Sequence, residues 1–143
     1  MRIAPTLLTA AALVAVSFGP VPLATPEAQA RAVNCRSHVP PVGSAERKAL
    51  MNALRPHIEA MVGKPVEFVV GKLDVACGYA RLLASPQEKG GQGDHYEDVD
   101  AFFVKRNGVW RFGMIASSEP DSDPAADQFK ARWPNAPDVL LYL

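Results

Sequence analysis

Cys35 and Cys77 are the only thiols in this chain of 143 residues, and what their sulfurs do is the first chemical question it raises. A thiol that attacks a carbonyl needs a base beside it. His38 lies near Cys35 in sequence, but no motif joins the two. A zinc site needs more ligands at tighter spacing, and a redox pair needs Cys-x-x-Cys; neither pattern occurs. A disulfide between Cys35 and Cys77 is the expected outcome. It would close a loop of about 40 residues, worth on the order of 3–4 kcal/mol through the entropy removed from the unfolded chain.

The stretch Asp94-His95-Tyr96-Glu97-Asp98-Val99-Asp100 gathers carboxylates around a histidine. A hard cation such as calcium takes several oxygen ligands, but the spacing is not that of an EF-hand. Zinc would ask for His95 and further nitrogen or sulfur. The plainer reading is a polar loop, rich in glycine from Gly90 on, that leads into a strand. No metal and no cofactor are expected. His57 follows Pro56 in a helical stretch and is expected at the edge of its apolar face. Gly-rich phosphate loops, Gly-x-Ser-x-Gly elbows and His-Glu-x-x-His motifs are absent, so the balance is against an enzyme. Lys and Arg number 15 and Asp and Glu 15; nothing is basic enough to suggest nucleic acid.

These side chains must be placed by elements, and the first thirty residues supply none. Met1-Arg2 precede an uncharged apolar run, Pro20 and Pro22 end it, and Ala28-Gln29-Ala30 is a small-x-small cleavage site. That is the plan of a secretory signal peptide, residues 1–30. The run is too short for a spanning helix, which needs roughly 20 apolar residues. Asn34 before Cys35 does not fit a lipoprotein signal. Residues 31–143 are then a single domain, periplasmic or secreted and free of the membrane once cleaved. Such a compartment favours the disulfide.

Ser44 can cap a helix over "AERKALMNALRPHIEAMV", where Leu50, Leu54 and Ile58 recur at helical spacing. Pro56 is expected to kink or split it; Gly63 and Pro65 stop it. Next, Val66, Phe68 and Val70 alternate, and after Gly71 the alternation resumes one residue out of phase with Leu73 and Val75. A bulge at Gly71-Lys72 would return all five to one face. Cys77-Gly78 suits a turn or a sheet edge, and "YARLLAS" a return strand ending at Pro86.

Asn107-Gly108 between alternating runs predicts a type I′ hairpin. A two-residue turn sets Arg106 against Val109, Lys105 against Trp110 and Phe103 against Phe112. Ala101, Phe103, Trp110, Phe112 and Met114 then share a core face. Phe102, Val104, Arg106, Val109, Arg111 and Ile115 share the other, with Phe102 opposite Gly113. That second face is only half polar, so either the C-terminal segment covers it or another chain does. A short helix after Asp123, the expected cap, carries Phe129 and Trp133 four apart. The apolar tail "DVLLYL" should dock on the body or enter an interface. Phe102 and Trp133, rimmed by Arg106 and Arg111, are the candidate surface for a protein partner or a second copy of the chain.

The order of helix, two strand pairs and short helix resembles the sheet-around-a-helix arrangement of cystatin-like and NTF2-like domains. More narrowly, "LRPHIEAMVGKPVEFVVGKLDVACGYARLLASP", "KRNGVWRF" and "WPNAPDVL" are similar to a set of small exported bacterial proteins with paired Gly-aromatic strands. The resemblance implies an α+β fold: a long N-terminal helix packed on a curved antiparallel sheet of about four strands, with a short C-terminal helix. It also implies a cone-shaped pocket in which Tyr79, Tyr96 and Asp100 would meet as polar groups. The expected function is a non-enzymatic exported binding or interaction domain. The alternative is a small-molecule binder or enzyme using that pocket.

Overall fold

A computed structural model describes residues 35–90 and 96–141. The signal-peptide pattern, Asp94 and His95 lie outside the described residues. The chain is α+β: helix α1 (Ala45–Val62), strands β1 (Val66–Ala76), β2 (Tyr79–Glu88), β3 (Val99–Arg106) and β4 (Val109–Ile115), helix α2 (Ala125–Arg132), and a 3-10 turn at Asp138–Leu140. The strands form one sheet in the order β1-β2-β3-β4, each antiparallel to the next.

Helix α1 starts where the Ser44 side chain accepts from the Arg47 N–H at 3.2 Å, and ends at Gly63, whose φ of 74° closes the last turn. Leu50, Leu54 and Ile58 form its buried stripe. The helix runs unbroken through Pro56. A mid-helix proline costs roughly 3 kcal/mol. Burial of Leu54 and Ile58 on either side returns about 1.5–3 kcal/mol each, and Pro56 itself lies exposed. Against this stripe pack Val66, Leu73 and Val75 of β1, Ala80 and Leu82 of β2, Ala101 and Phe103 of β3, and Trp110 of β4.

Both hairpins turn on two residues at positive φ: Cys77 at 49° and Gly78 at 78°, then Asn107 at 50° and Gly108 at 77°. This is the geometry that matches strand twist. The β1 register shifts between Val70 and Lys72, so the bulge sits at Gly71 as the broken alternation predicts. Strand β2 does not end at Pro86, which pairs with Phe68 and is fully buried. Pairing with β3 stops at Ala84, and the Pro86 carbonyl accepts from Tyr96 N–H on that side. The missing proline donor therefore faces a place where no ladder continues.

The β3–β4 turn has the expected register, with Arg106, Lys105 and Phe103 facing Val109, Trp110 and Phe112. Beyond it the register slips. Phe102 pairs with Met114 and Ala101 with Ile115, leaving Gly113 as a bulge. Met114 and Ile115 thus exchange the faces that strict alternation assigns them. Met114 joins Phe102 on the second face, and Ile115 packs toward α1.

The C-terminal segment covers that second face. Phe129 stacks on Phe102 with ring centroids 4.3 Å apart, and Ala136 and Leu141 close over the same cluster. The sheet is therefore buried between two layers, which accounts for its apolar second face. Helix α2 has no side-chain cap from Asp123. Instead the Gln128 side-chain amide donates to the Asp123 carbonyl at 2.6 Å.

Gly113 is where this cover comes closest. A Cβ there would sit 2.5 Å from the Trp133 ring and 2.9 Å from the Phe102 carbonyl oxygen. Gly113→Ala is expected to destabilise the domain by about 1–3 kcal/mol. Urea denaturation checks this. The penalty should shrink when Trp133→Ala is already present; an equal penalty in both backgrounds would place its cause elsewhere.

Candidate functional site

The polar residues expected in one pocket do not meet. Tyr79 lies on the second face, its ring edge-on to Phe129 at 5.9 Å. Asp100 lies on the same face but is taken by Arg81, which donates from Nε to Oδ1 at 2.9 Å and from Nη2 to Oδ2 at 2.6 Å. Tyr96 packs against the α1 side of the sheet. Strand alternation would put Tyr96 and Asp100, four apart, on one face, but β3 begins only at Val99, so the pleat does not govern where Tyr96 turns.

The four residues of the candidate partner surface are also dispersed. Phe102 is fully buried under Phe129. Trp133 is half-buried, 5.1 Å from Phe129, with the Arg132 guanidinium over its ring. Only Arg106 and Arg111 are exposed. Of the acidic stretch, Asp98 accepts from the Ser85 hydroxyl and Asp100 holds Arg81. Among the described residues no three His, Cys, Asp or Glu side chains are placed to hold a metal. His57 is exposed and tilts against Phe112 with centroids 4.1 Å apart, at the edge of the helix's apolar face.

The sequence places Arg81 only within a strand, yet its side chain joins β2 to β3 and to the C-terminal segment. Besides Asp100, its Nη1 donates to the carbonyls of Leu140 at 3.2 Å and Leu141 at 2.9 Å. Its guanidinium lies over the Phe102 ring at 5.2 Å. A charged residue inside the apolar run "YARLLAS" was the available signal. Nothing in the sequence says that its two carbonyl acceptors lie about sixty positions away.

Cys35 and Cys77 are joined by a disulfide, with Cα atoms 5.7 Å apart. Two hydrogen bonds of 2.9 Å between His38 and Val75 add the lead-in to the edge of β1. This brings the His38 ring to Glu46 at 2.8 Å. The Glu46 carboxylate also accepts from Trp110 Nε1 at 3.3 Å and faces Lys105 Nζ at 3.5 Å, beside a shallow cavity of about 550 Å³. The hydrogen bond from His38 chiefly holds the Glu46 carboxyl below its ordinary value of 4.5; burial opposes, and Trp110 and Lys105 add to the lowering. A depressed carboxyl stabilises the fold above its unfolded pKa, and that contribution fades as pH falls through the folded one. The Tm gap between wild type and Glu46→Gln should therefore be widest near neutral pH and close below about pH 4.5. A gap that stays constant into acid would refute the assignment.

The larger concavity lies at the other end of α1 and holds about 610 Å³. Ile58 and Val62 of α1, Val99 of β3 and Ile115 of β4 give it an apolar floor, with Tyr96 and Ala116 beside them. Its outer wall is the chain after β4. Ser117 N–H donates to the Gln128 side-chain oxygen at 2.9 Å, and the Gln128 amide returns a bond to the Ser117 carbonyl at 3.1 Å. The rim carries Glu97, Asp98, Glu119 and Ser118, and none of the described lining residues is basic. The Ser117 hydroxyl accepts from the Glu119 N–H at 3.3 Å. The arrangement offers a ligand an apolar floor and exposed carboxylates. Sequence reasoning missed the groove because its lining comes from five separate stretches of chain.

Comparison with known proteins adds no relative. No family model, curated protein or solved structure matches this chain. Among the described residues no helix is long and apolar enough to cross a membrane.

Proposed function

We propose that the mature chain is a non-enzymatic exported binding domain, and that the groove at the C-terminal end of α1 is its ligand site. One observation carries this reading: a concavity of about 610 Å³ with an apolar floor and exposed carboxylates among its lining residues. Ligand sites commonly have that size and that division of labour. The signal-peptide pattern and the disulfide support export. The position of the groove, between the helix and the sheet, also suits the NTF2-like resemblance. A protein partner on the second face draws less support, since α2 and the tail occupy the place where it would sit.

Amide NMR of the mature chain, titrated with a library of small amphiphilic compounds, tests the reading. Shifts should concentrate at Ile58–Val62, Tyr96–Val99 and Ile115–Ser118. Hits that cluster elsewhere, or a library with no hits, would remove the groove as the site.

A further inference from the structure

We infer that the ligand of this groove is a small amphiphilic cation, an apolar chain or ring that ends in an amine or guanidinium group. The inference rests on the groove being the binding site, and adds the chemistry of what enters it. The floor selects an apolar body. Burying each methylene there is favourable and makes no distinction between charged end groups. The rim supplies that distinction. Glu97, Asp98 and Glu119 are exposed carboxylates on one groove. No described lysine, arginine or histidine forms an ion pair with any of them.

This is a local arrangement and not an average property. The chain carries 15 basic and 15 acidic residues, so a rim with one sign of charge beside low-dielectric walls is a departure from the whole. Such a rim concentrates cations and repels anions. The groove volume of about 610 Å³ admits a single small molecule.

Three probes with the same ten-carbon chain separate the components: decylamine, decanol and decanoate, each below its micelle concentration and at low salt. Binding is followed by the amide shifts of Val62, Tyr96 and Ile115 and by calorimetry. Decylamine is expected to bind roughly tenfold more tightly than decanol, and decanoate more weakly than either. Raising the salt should erode the amine's advantage and leave decanol unchanged. The Glu97→Gln/Glu119→Gln variant should bring the amine down to the affinity of the alcohol. Neither side chain makes a hydrogen bond or ion pair among the described residues, so the variant is expected to fold; its decanol affinity serves as the control. Decanol or decanoate binding in the groove as tightly as decylamine would overturn the cationic ligand and leave the groove as a binding site. Failure of all three to shift those amides would overturn both.

Discussion

Replacing Arg81 with methionine is expected to destabilise the domain by about 3–5 kcal/mol, the usual loss when one partner of a buried ion pair is removed. The Arg81 side chain is only 10% exposed and Asp100 only 18%, so solvent cannot take over the lost contacts. Methionine keeps most of the apolar stem. It leaves the Asp100 carboxylate without its fork and the Leu140 and Leu141 carbonyls without their shared donor. Small domains are stable by only about 5–15 kcal/mol, so this is a large share. Arg81→Lys should recover only part, because an ammonium cannot reach two carboxylate oxygens and two carbonyls in one plane. Arg81→Met with Asp100→Leu should be more stable than Arg81→Met alone, since it removes the stranded charge. Urea denaturation measures all three, and Trp133 fluorescence reports whether the C-terminal cover loosens first. A loss below about 1 kcal/mol for Arg81→Met would mean that water satisfies these groups and that the tail is held by apolar packing alone. The consequence reaches the groove, because the segment that Arg81 anchors continues from α2, where Gln128 holds the outer wall.

Reducing the disulfide, or replacing both cysteines with serine, is expected to cost about 3–4 kcal/mol. The two residues are 42 apart in sequence, so the open chain regains a long loop's freedom when unfolded. There is a native-state component as well. Cys77 holds a φ of 49° at the hairpin tip, a conformation side chains other than glycine and asparagine adopt rarely. The crosslink, the His38–Val75 pair and the two-residue turn together keep it there. Loss of the bond should also free His38, so the acid dependence attributed to Glu46 should weaken in the Cys35→Ser/Cys77→Ser variant. The measurement is a pair of urea curves with and without reductant, plus alkylation of both thiols only after reduction. Coincident curves would show that the sheet holds the lead-in without the bond.

These two interactions differ in how far they were legible. The disulfide followed from there being two cysteines in a chain with an export pattern. Arg81 was hidden, because its partners lie on β3 and in the C-terminal segment and a strand pattern records only which face a residue occupies. The two bulges make the same contrast. At Gly71 the apolar alternation visibly breaks phase, so the extra residue can be read off. At Gly113 it does not, because Met114 and Ile115 are both apolar and either satisfies the pattern. The choice was made by Trp133, which needs a residue without a side chain beneath its ring.

Local pattern carried the outline of the elements, the Asn107-Gly108 turn, the disulfide and the α+β class, but neither the passage of α1 through Pro56 nor the run of β2 beyond Pro86. All but the disulfide rest on spacings of two to four residues, where backbone geometry acts on immediate neighbours. Tertiary structure alone decided which segment buries the second face, which faces Met114 and Ile115 take, where Arg81 finds its acceptors, and that α1, β3, β4 and the following loop enclose an acid-rimmed groove. Those outcomes depend on distances between parts of the chain far apart in sequence. They are fixed by packing, in which many weak contacts must be satisfied at once, and no local pattern encodes that sum.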